Sequence, residues 1–428
     1  MSLSHGIGMA ILGQFVEWTI ALLAAIALFL SLWIVVPAPT LLLLPLGVGA
    51  PEVSPFLLLG QGLLLGLALL LGEAPVGYGG RPSMLWLFTL GCATAGLVLS
   101  SLPLLQLPAA VRRAEAQMQG GLGADYSNQI PAQVRPWLRS HPFILADLVR
   151  GLPQAAVSPE EGALPIAPQR QTVFTPDGVA LALDFYQPPP SSTQQSPRPA
   201  IVTIYGGAWQ RGDPAATARF STYMAAQGYV VVAIDYRHAP DYRFPTQLED
   251  VQTALAWVGD RASDYHIDPS RIALVGWSAG AHLALLAAYA PGGYPLRAVV
   301  NYYGPVNLAA GYYDPPVPDP IDTRAVLESF LGGTPEQLPE LYRRASPIFS
   351  VGPGLPPTLL IYGQRDHVVK PSYGQQLYEQ LQTSGNRAAL IAIPWAEHAF
   401  DAVFRGPSNQ IALYYTERFL AWALRPGP

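Results

Sequence analysis

The sequence predicts an α/β architecture, a mostly parallel central sheet flanked by helices, preceded by about three transmembrane helices. Three observations predict it. Charged side chains make up only 12% of the 428 residues and hydrophobic ones 50%, against roughly 25% charged in an ordinary soluble domain. The deficit is local: before position 110 the charged side chains are Glu17, Glu52, Glu73 and Arg81. From residue 171 onward, short apolar runs alternate with helix-period segments, and a hairpin signal precedes that alternation.

Spanning a bilayer as a helix takes about 20 apolar residues, because only internal hydrogen bonds satisfy the backbone there. Runs 18–36, 55–72 and 84–107 carry no charge and stop at proline, glycine or charged residues. The stretch 41–50 is apolar but too short, and Pro51-Glu52 separates it from the second span; it is re-entrant or an extension of that span. A cleaved signal peptide is the lesser reading of the first run, because no Lys or Arg precedes it and two further runs follow. Buried helices of a soluble protein are disfavoured by hydrophobicity on all sides of each segment. A multi-pass membrane protein is therefore expected. Arg81 on one side and Arg112 with Arg113 on the other give a one-arginine preference for a cytoplasmic C-terminal part, which does not fix the side.

Residues 1–110 form the membrane region, 111–170 a juxtamembrane connector and 171–428 the soluble domain. The connector carries an amphipathic stretch around "FILADLVRGL", either interfacial or an ordinary surface helix. "QTVFTPDGVALALDFYQP" reads as two strands about an Asp177-Gly178 turn. A proline- and serine-rich loop follows, then candidate buried strands at 200–204, 229–234, 272–275, 297–301, 358–362 and 388–393. Helix-period segments lie at 246–263, 279–290, 372–384 and 409–424. The interval 303–350, rich in Pro, Tyr and Gly, interrupts this rhythm and reads as a cap or lid over the carboxyl ends of the strands, where open α/β sheets bind ligands.

Ser278 sits in Gly276-Trp277-Ser278-Ala279-Gly280, between a predicted strand and a predicted helix. A strand–turn–helix elbow this sharp needs small flanking residues, and the helix N-terminus behind the serine favours developing negative charge. A close-packing Ser/Gly helix start would read the same, so the partners decide. A serine hydroxyl needs an imidazole to take its proton, and the imidazole needs an acceptor on its other nitrogen. Asp366 follows strand 358–362 in "GQRDHVV", and His398 follows strand 388–393 in "PWAEHAF". His367 and Glu397 are their nearest competitors. Gly206 and Gly207 after strand 200–204 can turn N–H groups toward a ligand, which nominates the N–H groups of Gly207, Ala208 and Ala279 as an oxyanion hole.

"YGGAW", "AIDYRHAPDYRFPTQLEDV", "GWSAGAHLA", "GQRD" and "EHAF" together resemble the esterase branch of the α/β-hydrolase superfamily that includes hormone-sensitive-lipase-like and kynurenine-formamidase-like enzymes. The resemblance covers roughly residues 170–425. It implies the α/β-hydrolase fold, Ser278 as nucleophile, Asp366 as acid, His398 as base and Gly207, Ala208 and Ala279 as the oxyanion hole. Tyr205 stands where that family usually has a histidine bracing the oxyanion loop. Asp235, Tyr236, Arg237 and Asp250 read as scaffold, and His282 as a structural residue on the helix.

The expected activity is membrane-anchored hydrolysis of carboxylic esters through an acyl-enzyme, acting on a small-molecule or lipid-derived ester. Amide or formamide hydrolysis by the same machinery is the alternative; a catalytically dead binding module is the reading from another class. A net charge of −5 with no Lys/Arg-rich run argues against nucleic acid as a partner. The single Cys92 excludes an intrachain disulfide and a cysteine-built zinc site. Neither a metal nor a cofactor is implied.

Overall fold

The computed structural model of the chain describes residues 2–71, 83–150, 166–189 and 196–426. Arg81, residues 151–165 of the connector and residues 190–195 of the proline- and serine-rich loop lie outside them. The N-terminal part contains α1 (Ser2–Leu32), α2 (Leu44–Glu52), α3 (Ser54–Leu71) and α4 (Met84–Leu122), followed by a single turn, α5 (Asp147–Arg150). Then come β1 (Gln169–Phe174), β2 (Ala180–Tyr186), β3 (Arg198–Ile204), α6 (Ala218–Ala226), β4 (Val230–Ile234), α7 (Thr246–Asp260), β5 (Ile267–Trp277) and α8 (Ala279–Ala288). The chain closes with β6 (Ala298–Tyr302), α9 (Leu308–Tyr313), α10 (Thr323–Leu331), α11 (Pro339–Arg344), β7 (Thr358–Gly363), α12 (Pro371–Thr383), β8 (Ala388–Ile393) and α13 (Pro407–Ala423).

Among the described residues the strands form one sheet in the order β1-β2-β4-β3-β5-β6-β7-β8. The β1–β2 and β2–β4 pairs are antiparallel and the other pairs parallel. The hairpin closes as its turn chemistry demands: Gly178 has φ 87°, and the Thr175 hydroxyl donates to Asp177 at 2.6 Å. Strands β3, β4, β6 and β7 are apolar and β-branched runs buried along nearly their whole length, as a sheet covered on both faces requires. β3 lies between β4 and β5, so the strand order reverses there, and the loops leaving β3 and β5 emerge side by side at the carboxyl edge.

Two helices, Gly13–Leu32 and Met84–Leu122, are long and apolar enough to cross a membrane. The pair Leu44–Glu52 and Ser54–Leu70, bent by 75°, makes a third if it is one broken span. Helices α1, α3 and α4 pack on one another. The Ser31 and Ser100 hydroxyls meet at 2.9 Å, and Trp86 Nε1 donates to Ala68 O at 2.8 Å. Leu22, Leu59, Leu63 and Leu70 point outward and are exposed.

Helix α4 does not stop where its apolar run stops. It continues through Pro103 and Pro108 to Leu122, so the boundary near 110 falls inside a helix. Past Leu107 the sequence turns polar but keeps strong helix formers, and Ala110, Ala114, Met118 and Leu122, four residues apart, bury one stripe in the core of the sheet domain beside β8. The approach is close: a Cβ at Gly121 would lie 1.9 Å from Ala388 O.

Candidate active site

Strand β5 runs straight into α8 through Ser278, whose backbone sits at φ 51° and ψ −119°, a region an L-residue adopts only under constraint. The flanking glycines supply that constraint. A Cβ at Gly276 would lie 2.4 Å from Gly280 O, and one at Gly280 would lie 2.2 Å from Ile204 O and 2.3 Å from Tyr205 O. The elbow is thus wedged against the end of β3, and neither glycine can carry a side chain. Ala208, Trp209, Tyr303 and Ala399 also have positive φ, and all four line the same cavity as Ser278. Backbone strain, at ~1–3 kcal/mol per residue, is concentrated around this one place.

Asp366 leaves the carboxyl end of β7 and His398 the carboxyl end of β8. His398 Nε2 lies 3.0 Å from Ser278 Oγ, and His398 Nδ1 lies 2.8 Å from Asp366 Oδ2. The Asp366 carboxylate is buried and accepts the Val368 and Val369 N–H groups at 2.8 and 2.7 Å, which fixes it for the imidazole. Burial alone would lower the pKa of His398. The Asp366 charge and hydrogen bond outweigh it, so the imidazole sits above its ordinary 6.5.

The competitors His367 and Glu397 pair with each other. Glu397 accepts His367 Nδ1 at 2.6 Å through one oxygen. Its other oxygen takes the N–H groups of His367 at 2.6 Å and His398 at 2.9 Å. One buried carboxylate therefore ties the loop carrying Asp366 to the loop carrying His398. The hydrogen bond to Glu397 raises the pKa of His367 despite its burial.

The loop after β3 lies against the elbow. A Cβ at Gly206 would fall 2.8 Å from Trp277 O and 3.0 Å from Ser278 Cβ, and one at Gly207, at φ 138°, would fall 2.0 Å from Arg211 O. Gly207, Ala208 and Ala279 line the cavity beside Ser278. Behind them Tyr205 is fully buried: its hydroxyl donates to Asp235 at 2.6 Å and meets His238 Nε2 at 2.9 Å, and its ring stacks on Tyr236. The ring also fills the space beside Gly212, where a Cβ would come within 2.4 Å of it. Tyr205 thus braces the loop from behind, anchored through Asp235 and His238. Arg237 pairs with Asp250 and Asp177 at 2.7 and 2.6 Å, a scaffold contact that ties the turn of the first hairpin to α7. His282 is buried on α8. It accepts Trp209 Nε1 at 3.2 Å and donates Nε2–H to Ala345 O at 2.6 Å, and burial pushes its pKa down to about 4.

Two residues were not singled out from the sequence. The Tyr303 ring lies 4.5 Å from that of His398, and its hydroxyl donates to Asp401. Their signal was weak: a tyrosine after a strand and an aspartate just past "EHAF". The cavity in front of Ser278 has a volume of about 630 Å³, in the range of small-molecule sites. Leu308 of α9 and Val326 and Leu327 of α10 contribute to its wall.

The solved structure of EstE1, a thermophilic carboxylesterase cloned from a metagenomic library, is similar over 62% of this chain and 92% of its own, with 26% identity and a TM-score of 0.54. The architecture fits the α/β-hydrolase fold. The BD-FAE family model matches residues 183–381, a stretch that contains Ser278 and Asp366 and stops short of His398. Esterase LipC of Mycobacterium tuberculosis is 34% identical over 58% of this chain and 65% of its own length. The probable carboxylic ester hydrolase LipM of the same organism is 31% identical over 52% and 54%. The chain thus spans less than two thirds of the length of these curated relatives.

Proposed function

We propose that the protein is a serine hydrolase of carboxylic esters, held at a membrane by its N-terminal helices. The observation that carries this reading is the unbroken hydrogen-bonded chain from Ser278 Oγ through His398 to Asp366, opening on a cavity with an apolar wall. His398 Nε2 takes the Ser278 proton as Oγ attacks the ester carbonyl. The negative charge of the tetrahedral intermediate develops in front of the N–H groups of Gly207, Ala208 and Ala279, each such donor being worth ~2.7–4 kcal/mol. His398 then passes its proton to the leaving alkoxide, which departs as the alcohol and leaves an acyl-serine. A water deprotonated by His398 attacks that acyl carbon, and collapse of the second intermediate releases the carboxylic acid and returns the proton to Ser278. Asp366 holds the tautomer and stabilises the imidazolium throughout. Likeness to LipC, LipM and EstE1, all named as esterases or ester hydrolases, supports the ester over the amide as substrate.

Full-length protein and Ser278→Ala are treated with a fluorophosphonate and assayed with p-nitrophenyl butyrate. Covalent labelling on the peptide containing Ser278, with labelling and turnover both absent in the variant, is expected. Folded wild-type protein that neither labels nor turns over the ester would overturn the reading in favour of a binding module.

A further inference from the structure

The segment between α1 and α3 belongs to the active site as well as to the apolar helix group. Leu41 and Leu44 line the same cavity as Ser278 and His398, and Leu44 packs onto the core of the sheet domain. Leu42, between them, is 87% exposed. This segment is held on the loops that carry the chemistry. Arg365, next to Asp366, donates to Val35 O. Glu52 accepts Ser408 N at 3.0 Å, at the start of α13, and α2 packs on the turn 400–402 just after His398. A helix of nine residues is about 13 Å long, too short to cross a bilayer by itself. The mouth of the cavity and the outer surface of the helix group therefore share one stretch of leucines.

We infer that the substrate is a bilayer-resident ester with a long apolar chain, which reaches Ser278 from the membrane past Leu41 and Leu44 rather than from water. The inference rests on the ester-hydrolase reading and names its substrate class. In this arrangement the chain exchanges one apolar environment for another, while the ester group alone moves to the polar end of the cavity at Ser278, Gly207 and Ala208.

Full-length protein is reconstituted in phosphatidylcholine vesicles that contain p-nitrophenyl palmitate, with p-nitrophenyl acetate in the water as the second substrate. Diluting the palmitate with phosphatidylcholine inside the same vesicles should lower its turnover in proportion to its mole fraction, whereas the same amount of lipid added as empty vesicles should leave the initial rate unchanged. In Leu41→Ser/Leu44→Ser the ratio of palmitate to acetate turnover should fall about tenfold, the factor given by roughly two lost methylene contacts. Empty vesicles that slow palmitate turnover as much as internal dilution does would overturn the route, because the ester would then be travelling through water; an unchanged ratio in the double variant would do the same. The wild-type dilution series needs no variant to fold. If wild-type protein fails on acetate as well, the ester-hydrolase reading falls and takes the route with it; acetate turnover with a water-borne palmitate response removes the route alone.

Discussion

Alanine at Gly280 tests whether the elbow is held by contact with β3. The added Cβ would sit 2.2 Å from Ile204 O and 2.3 Å from Tyr205 O, and both acceptors are backbone atoms that no side-chain rotation can move. Restoring an ordinary contact requires α8 to withdraw from the end of β3 by roughly 1 Å. Ser278 Oγ and the Ala279 N–H ride on the first residues of α8, whereas Gly207 and Ala208 stay with β3. The withdrawal thus opens the gap between nucleophile and two of the three oxyanion donors. A misplacement of about 1 Å costs on the order of 100-fold in rate, or about 2.7 kcal/mol of barrier. The assay is kcat and KM for p-nitrophenyl butyrate, alongside the fluorophosphonate labelling rate and circular dichroism. Gly352→Ala is the control, because nothing lies within 4 Å of its Cβ position. A folded Gly280→Ala protein with kcat within about threefold of wild type would refute the reasoning, since the elbow would then not depend on that contact.

Three further outcomes follow from the same geometry. Asp366→Asn should lower kcat by about 10³–10⁴-fold. In the wild type kcat/KM should rise with pH through an apparent pKa above 6.5, because the reacting imidazole must be neutral and Asp366 holds its pKa up; in the variant burial is opposed only by the smaller effects of Glu397 and Asp401, and this limb moves to lower pH. Glu397→Ala leaves the His367 and His398 N–H groups without their acceptor, at ~1–3 kcal/mol each, and should cut kcat at least about tenfold. Glu397→Gln keeps an oxygen in place and should lose much less, so equal losses would contradict the clamp. His282, with a folded pKa of about 4 against 6.5 unfolded, takes up its proton more readily when the chain unfolds. Stability is then intact above pH 6.5 and falls by roughly 3 kcal/mol as pH drops to 4; thermal unfolding of His282→Gln should show a flatter acid limb than wild type.

Much of the sheet domain was legible because its strands are short β-branched runs bounded by turn residues. The hairpin around Gly178 and the runs 200–204, 229–234, 272–275, 297–301, 358–362 and 388–393 announce themselves by composition, and each falls on a strand that ends within two residues of it. Ser278, Asp366 and His398 could be read as a set because each stands just past such a run. Helix α6 was missed: "ARFSTYMAA" is short and follows a proline turn, and only the packing of Phe220, Tyr223 and Met224 against the core makes it a helix. Residues 111–122 read as a connector because Arg112, Arg113 and Glu115 follow the apolar run; the buried stripe Ala110, Ala114, Met118 and Leu122 is half alanine, and its partner, β8, lies more than 260 positions away. The roles of Glu397, Tyr303 and Leu44 were equally hidden. Each acts through a neighbour distant in sequence, which periodicity cannot reveal.

Helix α4 has a mechanical consequence. At 1.5 Å per residue its 39 residues measure about 58 Å, nearly twice the roughly 30 Å of a bilayer's hydrocarbon interior, and the surplus turns are bolted into the sheet domain. The helix works as a mast of fixed height and heading. Each residue spliced in after Leu107 would shift the sheet domain by about 1.5 Å and swing it through about 100° relative to the apolar helices. How the cavity in front of Ser278 faces the apolar helices is thus set by the register of one helix, none of whose residues lines that cavity.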